Sequence, residues 1–260
     1  MQKKGVMSVC SKILLQINAK LGGCSYQIKN INKDKKSLMV IGIDSSYIKK
    51  KGRGIAMVAT IDDSFNNFYN KEEIINEDDE KNIKKLEFCV KSFIEEAIEI
   101  YKSKNSIEPQ GIIIYRQGVS LKENEYLELE IDQIDEFCNI KDIDYYYILV
   151  NTKTTFKFFE VKEKRRNRNK VDIFYNNPKP GLLIIDGVTN KRYFEFYIQP
   201  QEVTGGSATP TCFHVAYGNL DFAEKIPKFT YDLCYIYSNW QGAVRVPNVI
   251  NYDSFLRMEI

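Results

Sequence analysis

The stretch "SLMVIGI", Ser37 to Ile43, is almost uninterrupted apolar sequence. A strand that is hydrophobic at nearly every position, not at every second one, needs cover on both faces, which places it at the centre of a sheet between layers of helix. The neighbouring sequence supplies those layers. "GIAMVATI", Gly54 to Ile61, reads as a second strand entered through a turn at Gly52 and Gly54. The charged segment "NKEEIINEDDEKN" then leads out of the sheet towards a helix. From about Asn82 to Lys102, Leu86, Val90, Phe93, Ala97 and Ile100 recur at three- and four-residue steps, leaving Lys91, Glu95 and Glu99 for solvent. Pro109 and Gly111 close the loop before a strand at Ile112 to Tyr115. "LKENEYLELEIDQIDEFC" predicts a further amphipathic helix, and "YYYILV", Tyr145 to Val150, a further strand. Alternating strands and helices predict an α/β fold with right-handed crossovers.

In the remaining sequence, "KFFEVKEKRRNRNK", Lys157 to Lys170, is the strongest cationic cluster, read as a loop. "GLLIIDGVTNKRYFEFYI" predicts a strand pair around Asp186-Gly187 and Asn190-Lys191. A last helix starts near Pro227, since proline is tolerated in a first helical turn. A chain of 260 residues with 43% hydrophobic content can bury a large core. Its net charge of +2 does not imply a polyanionic partner, so only local clustering can argue for one. No CxxC pair occurs among Cys10, Cys24, Cys89, Cys138, Cys212 and Cys234, which excludes zinc-finger spacing and predicts reduced thiols in an intracellular protein. No apolar run approaches the ~20 residues of a membrane span. A soluble protein of the cytoplasm or nucleus, with no membrane partner, is expected.

Three positions could carry chemistry. Asp44 ends the first strand in "VIGIDSS", where open α/β sheets bind ligands, although a strand-end Asp also serves as a loop cap. Gln117 stands in "IIIYRQGVS", where a strand opens into a loop and a carboxylate could hold a metal ion. His214, the only histidine, lies in "TPTCFHVAYG" and could be a ligand, a base or a packed polar residue.

Taken together and in order, "VIGIDSS", "IIIYRQGVS" and "GGSATPTCFHVAYG" resemble the PIWI domain of Argonaute proteins. "LLQINAKLGG" is similar to that family's entry segment, "GVTNKRYFEFYIQPQ" to its late strand pair, and "FTYDLCYIYSNWQGAVRVP" to its last helix and exit. The resemblance implies an RNase H-like mixed sheet flanked by helices over residues 31–260. Residues 1–30 would be a remnant of the preceding MID-like segment, with the amino-terminal and PAZ domains missing. It also implies a two-ion centre built from two aspartates, a glutamate and a fourth residue, often histidine, binding Mg²⁺ or Mn²⁺. Asp44 matches the first aspartate, His214 the fourth residue, and Gln117 the position of the second aspartate in "YRDGVS". Glu87 is the nearest candidate for the glutamate, beside Lys84 and Lys85. A neutral amide in place of a carboxylate leaves paired cations poorly neutralised, so cleavage is expected to be lost or impaired.

Guide binding is separable from cleavage. The resemblance places Gln16 and Lys20 at the family's 5′-phosphate site, with Gly242 where an arginine is usual, Arg245 close by, and Thr209 in place of the arginine of "GTSRP". Lys153 and Lys157 fall at basic guide contacts, and Lys162, Lys164, Arg165, Arg166, Arg168 and Lys170 extend the positive charge for phosphate binding. The expected partners are guide RNA and target RNA, in RNA silencing. The alternatives from other classes are an active metal-dependent RNA endonuclease, and an interaction module for Trp-containing partner peptides that no longer binds RNA.

Overall fold

The computed structural model describes residues 2–24, 26–29, 31–32, 36–48, 51–75, 82–119, 124–167, 170–190, 192–219, 221–240 and 242–251, without the side chains at 2–4, 82–87, 124–126, 165–167 and 170. In chain order its elements are α1 (Gln2–Lys20), β1 (Leu38–Ile48), β2 (Gly52–Thr60), β3 (Phe68–Ile75), α2 (Asn82–Asn105), β4 (Gly111–Gln117), α3 (Asn124–Lys141), β5 (Asp144–Asn151), β6 (Glu160–Asn167), β7 (Lys170–Asn176), β8 (Leu182–Ile184), β9 (Glu195–Gln199), β10 (Thr211–Gly218) and α4 (Ile226–Leu233). One eight-stranded sheet runs in the order β3-β2-β1-β4-β5-β10-β9-β8, and β6 and β7 form a separate hairpin. β1, β4 and β5 are parallel, as crossovers through α2 and α3 require, and the remaining pairs are antiparallel. This is the RNase H-like mixed α/β sheet that the motifs led us to expect.

Both faces of β1 are covered. Met39, Ile41 and Ile43 join Val90, Phe93, Ala97, Ile112, Ile114, Ile134 and Leu149 under α2 and α3. Leu38 and Val40 join Ile113, Tyr115, Val150, Phe196, Phe213, Phe229 and Val249 on the opposite face, beneath α4 and the carboxyl-terminal segment. The run at 38–43 is therefore apolar throughout because successive side chains enter two different cores. Gly42 is its one gap, and packing explains it. A Cβ there would lie 2.7 Å from the backbone carbon and oxygen of Val249, so only glycine lets the 248–251 turn seat against β1.

Two expectations change. The segment beginning "NKEEII" does not leave the sheet directly; it completes β3, antiparallel to β2 along its whole length. The alternation of intermediate and exposed residues in β3 is that of an edge strand with one solvated face. The cationic stretch after Lys157 is not a loop but the first strand of the β6–β7 hairpin. Pro227 does sit in the first turn of α4. Four cysteines are buried, and Cys10 and Cys24 are exposed. Among the described residues no helix is long and apolar enough to cross a membrane.

Gly42→Ala is expected to cost about 1–3 kcal/mol, the usual penalty for overpacking. A shift of the urea midpoint at unchanged slope measures it.

Candidate nucleic-acid interface

Asp44 and Gln117 come together. They are register partners in adjacent parallel strands, and strand alternation puts both side chains on the face that carries Val40 and Tyr115. Asp44 is almost wholly buried. The Gln117 side-chain oxygen is buried without a hydrogen-bond partner. Gly118 then turns at φ +83°, where a Cβ would sit 2.3 Å from the Ser45 carbonyl oxygen and 2.7 Å from Asp44 Oδ1. Glycine is required here twice over, by the positive φ and by the close approach. The "RQG" turn thus brings its backbone against the Asp44 carboxylate.

Behind this pair lies a buried charge. Arg116 is fully inaccessible and points to the α2–α3 face. Its Nε donates to Glu130 Oε1 at 3.2 Å, and its Nη1 donates to Gln117 O at 2.7 Å and Ser45 Oγ at 3.2 Å. Tyr147 donates its hydroxyl to the same Glu130 carboxylate at 2.7 Å. An unpaired buried guanidinium would cost several kcal/mol, so this set of partners is what permits a charge inside the strand. The network joins β1, β4, β5 and α3 immediately beneath the turn. Neither Arg116 nor Glu130 was singled out from the sequence. The available signal was Glu130 falling on the buried helical stripe of Leu127, Ile134 and Phe137.

His214 lines the same cleft as Asp44 and Gln117 but enters it from a different strand. It pairs across β10 with Leu149 of β5 and Glu195 of β9, a row that continues to Arg116 and Ile43 on the α2–α3 face. Three strand spacings also separate β1 from β10, roughly 14 Å at about 4.8 Å each. Side-chain alternation starts His214 on the α2–α3 face, and the cleft beyond the strand ends is shared by all three residues. There its Nδ1 lies 3.7 Å from Glu195 Oε2, and the ring packs against Tyr193 at 4.8 Å. Burial holds its pKa below the ordinary 6.5, opposed by the Glu195 carboxylate. Cys212, beside it in the cleft, is pushed up to about 12, chiefly by burial. Glu87 belongs to α2, but its side chain lies outside the described residues.

A cleft of about 1200 Å³ passes over the carboxyl ends of β1, β4 and β5 and reaches both faces of the sheet. Asp44, Gln117, Gly118, Lys153, Phe156, Glu195 and His214 all line it. Its rim is braced by the loop at 203–210: Thr154 donates to Pro210 O at 2.9 Å, and the Lys157 ammonium hydrogen-bonds Thr209 Oγ1. Arg245 donates from Nη2 to Thr152 O at 2.6 Å, which ties the carboxyl-terminal segment to the same rim. Gln16 and Lys20 meet elsewhere, in a 540 Å³ pocket with Gln201, Tyr237, Asn239, Trp240 and Val244. Arg245 is not among the residues lining that pocket. The side chains of Arg165 and Arg166 in β6 lie outside the described residues.

The described residues do not fit a pair of divalent ions. Asp44 is the one carboxylate at the turn, Gln117 offers a neutral oxygen, and no cluster of three or more His, Cys, Asp or Glu suited to a metal occurs among the described residues.

The family model of the Piwi domain matches residues 1–256. Protein argonaute-3 of Drosophila melanogaster is 31% identical over 259 residues, covering 95% of this chain and 27% of that protein. The crystal structure of Drosophila Piwi superposes with a TM-score of 0.75 at 25% identity, over 96% of this chain and 33% of that one. The structure of Kluyveromyces polysporus Argonaute with a guide RNA has a TM-score of 0.80 at 19% identity, over 95% of this chain and 30% of that chain, a likeness of fold. The chain spans about a quarter to a third of the length of these relatives.

Glu130→Ala, which leaves Arg116 buried without its carboxylate, is expected to lower stability by about 3–5 kcal/mol in chemical denaturation. His214 gives a pH signature. Above about pH 6.5 both folded and unfolded imidazoles are neutral; as pH falls below that value the unfolded chain takes up a proton that the folded one resists, and stability declines. His214→Gln is expected to shallow that acid decline in melting temperature, measured from pH 7 to pH 5.

Proposed function

This chain belongs to the Piwi domain family, and from that premise we propose that it binds guide RNA, or a guide–target RNA duplex, in RNA silencing without efficient cleavage. The observation that carries this reading is Gln117, held in register with Asp44 where the family motif has a second aspartate. The carboxamide keeps an oxygen but supplies no charge. Two close cations in a partly buried site would face a single carboxylate from this turn, and their mutual repulsion would dominate. Binding makes no such demand. Lys153 on the cleft rim and Lys157 beside it can neutralise phosphates whatever the bases, and an A-form duplex is recognised through its backbone and shape. The K. polysporus relative, whose fold this chain shares, holds a guide RNA. By the same reading, Gln16 and Lys20 make the 540 Å³ pocket a candidate for a strand end.

Two measurements test the proposal. In filter binding with a short RNA duplex, log affinity is expected to fall linearly with log salt, and Lys153→Ala to reduce the slope by about 0.7–0.9. Affinity that is negligible at low salt, or indifferent to it, would overturn the binding reading. For the metal centre, Mn²⁺ is expected neither to promote RNA cleavage by the native chain nor to raise its melting temperature. Gln117→Asp sets a second anion against Asp44, so it is expected to melt several degrees lower in chelator and to recover with Mn²⁺. Cleavage by the native chain that is abolished in Asp44→Ala would show a working nuclease instead.

A further inference from the structure

Among the described residues the β6–β7 hairpin has no third strand, and most of its described side chains are exposed, on both faces. Such a two-stranded ribbon, with Val161, Val171, Ile173, Phe174 and Tyr175 each about half exposed or more, is marginal in water unless something covers it. Register sorts the residues. Val161 opposes Tyr175 on one face, which carries Ile173 as well, and Phe159 meets Tyr175 edge-on at 6.3 Å. Lys162 opposes Phe174 on the other face, with Lys164 two residues on. From Glu160 to Asn176 the sequence holds six lysines and arginines against three acids, a net +3 in a chain whose total is only +2. Positive charge therefore collects on the element that also displays uncovered aromatic rings.

The hairpin is also well placed. Its incoming limb follows directly from Lys153–Phe156, which line the cleft. Its outgoing limb is clamped by Asn177, whose amide nitrogen donates to Val203 O at 2.9 Å and Gly206 O at 2.8 Å, and whose oxygen accepts from Ala208 N at 2.8 Å. Both limbs are anchored to the 203–210 loop that braces the cleft rim, so a fixed base carries an exposed arm beside the cleft.

We propose that this hairpin is a second nucleic-acid contact, taking single-stranded RNA that extends beyond the duplex in the cleft. Unpaired bases would stack on Phe174 while Lys162 and Lys164, on the same face, meet the phosphates, and Tyr175 offers a second ring on the reverse face. A single strand fits better than a duplex because its bases present free faces to the rings, whereas paired bases are already stacked. This rests on the cleft binding a duplex, and the test separates the two ideas. Affinity is measured by fluorescence anisotropy for a blunt RNA duplex, the same duplex with a single-stranded extension, and the extension alone. We expect the extended duplex to bind about five-fold or more tightly than the blunt one. Phe174→Ala with Tyr175→Ala should abolish that advantage and leave blunt binding unchanged, whereas Tyr175→Phe, which keeps the ring, should retain it. No gain from the extension, or a gain that survives both alanines, overturns the proposal; the latter would leave the hairpin to an acidic protein partner. Failure of the blunt duplex to bind, with the extension alone still sensitive to the ring variants, would overturn the cleft reading and support the hairpin.

Discussion

A single buried guanidinium organises the centre of this molecule. Arg116 follows three buried isoleucines and a tyrosine in β4, and it is tolerated because Glu130, Ser45 and the Gln117 carbonyl accept its protons. Tyr147 adds a further hydrogen bond to Glu130. Those partners come from α3, β1, β4 and β5, so satisfying one charge fixes the relative positions of three parallel strands and a helix. The turn that follows inherits this rigidity. Gly118 can rest against Ser45 and Asp44 because the strand ends beneath it are cross-linked.

The turn presents a carboxylate and a carboxamide side by side. His214 enters the same cleft from β10, where Glu195 and Tyr193 surround it. The cleft is consequently of mixed character. A carboxylate and a carboxamide lie at one end, an imidazole beside a carboxylate at the other, and lysines and threonines follow β5 along the rim.

Much of the fold was legible because it depends on periodicity. The runs at 37–43, 112–115 and 145–150 and the helical spacing of Leu86 to Ile100 each correspond to an element that the structure contains. β3 was harder to read, because an edge strand with a solvated face carries charges such as Lys71, Glu72 and Glu73 that resemble a helix approach. The hairpin was missed for a related reason: a ribbon exposed on both faces shows no burial pattern to distinguish it from a loop. At the site, Asp44 and Gln117 were identifiable from their strand ends. The strand face from which His214 starts was not, since motif order does not specify strand parity. Only the register with Leu149 determines its face.

The glutamine beside Asp44 has a consequence in time as well as in charge. On the reading proposed above, a duplex in this cleft is not severed and can leave only by dissociating. Its residence is then governed by screened contacts along the rim, and ionic strength, rather than any catalytic rate, sets the clock for release.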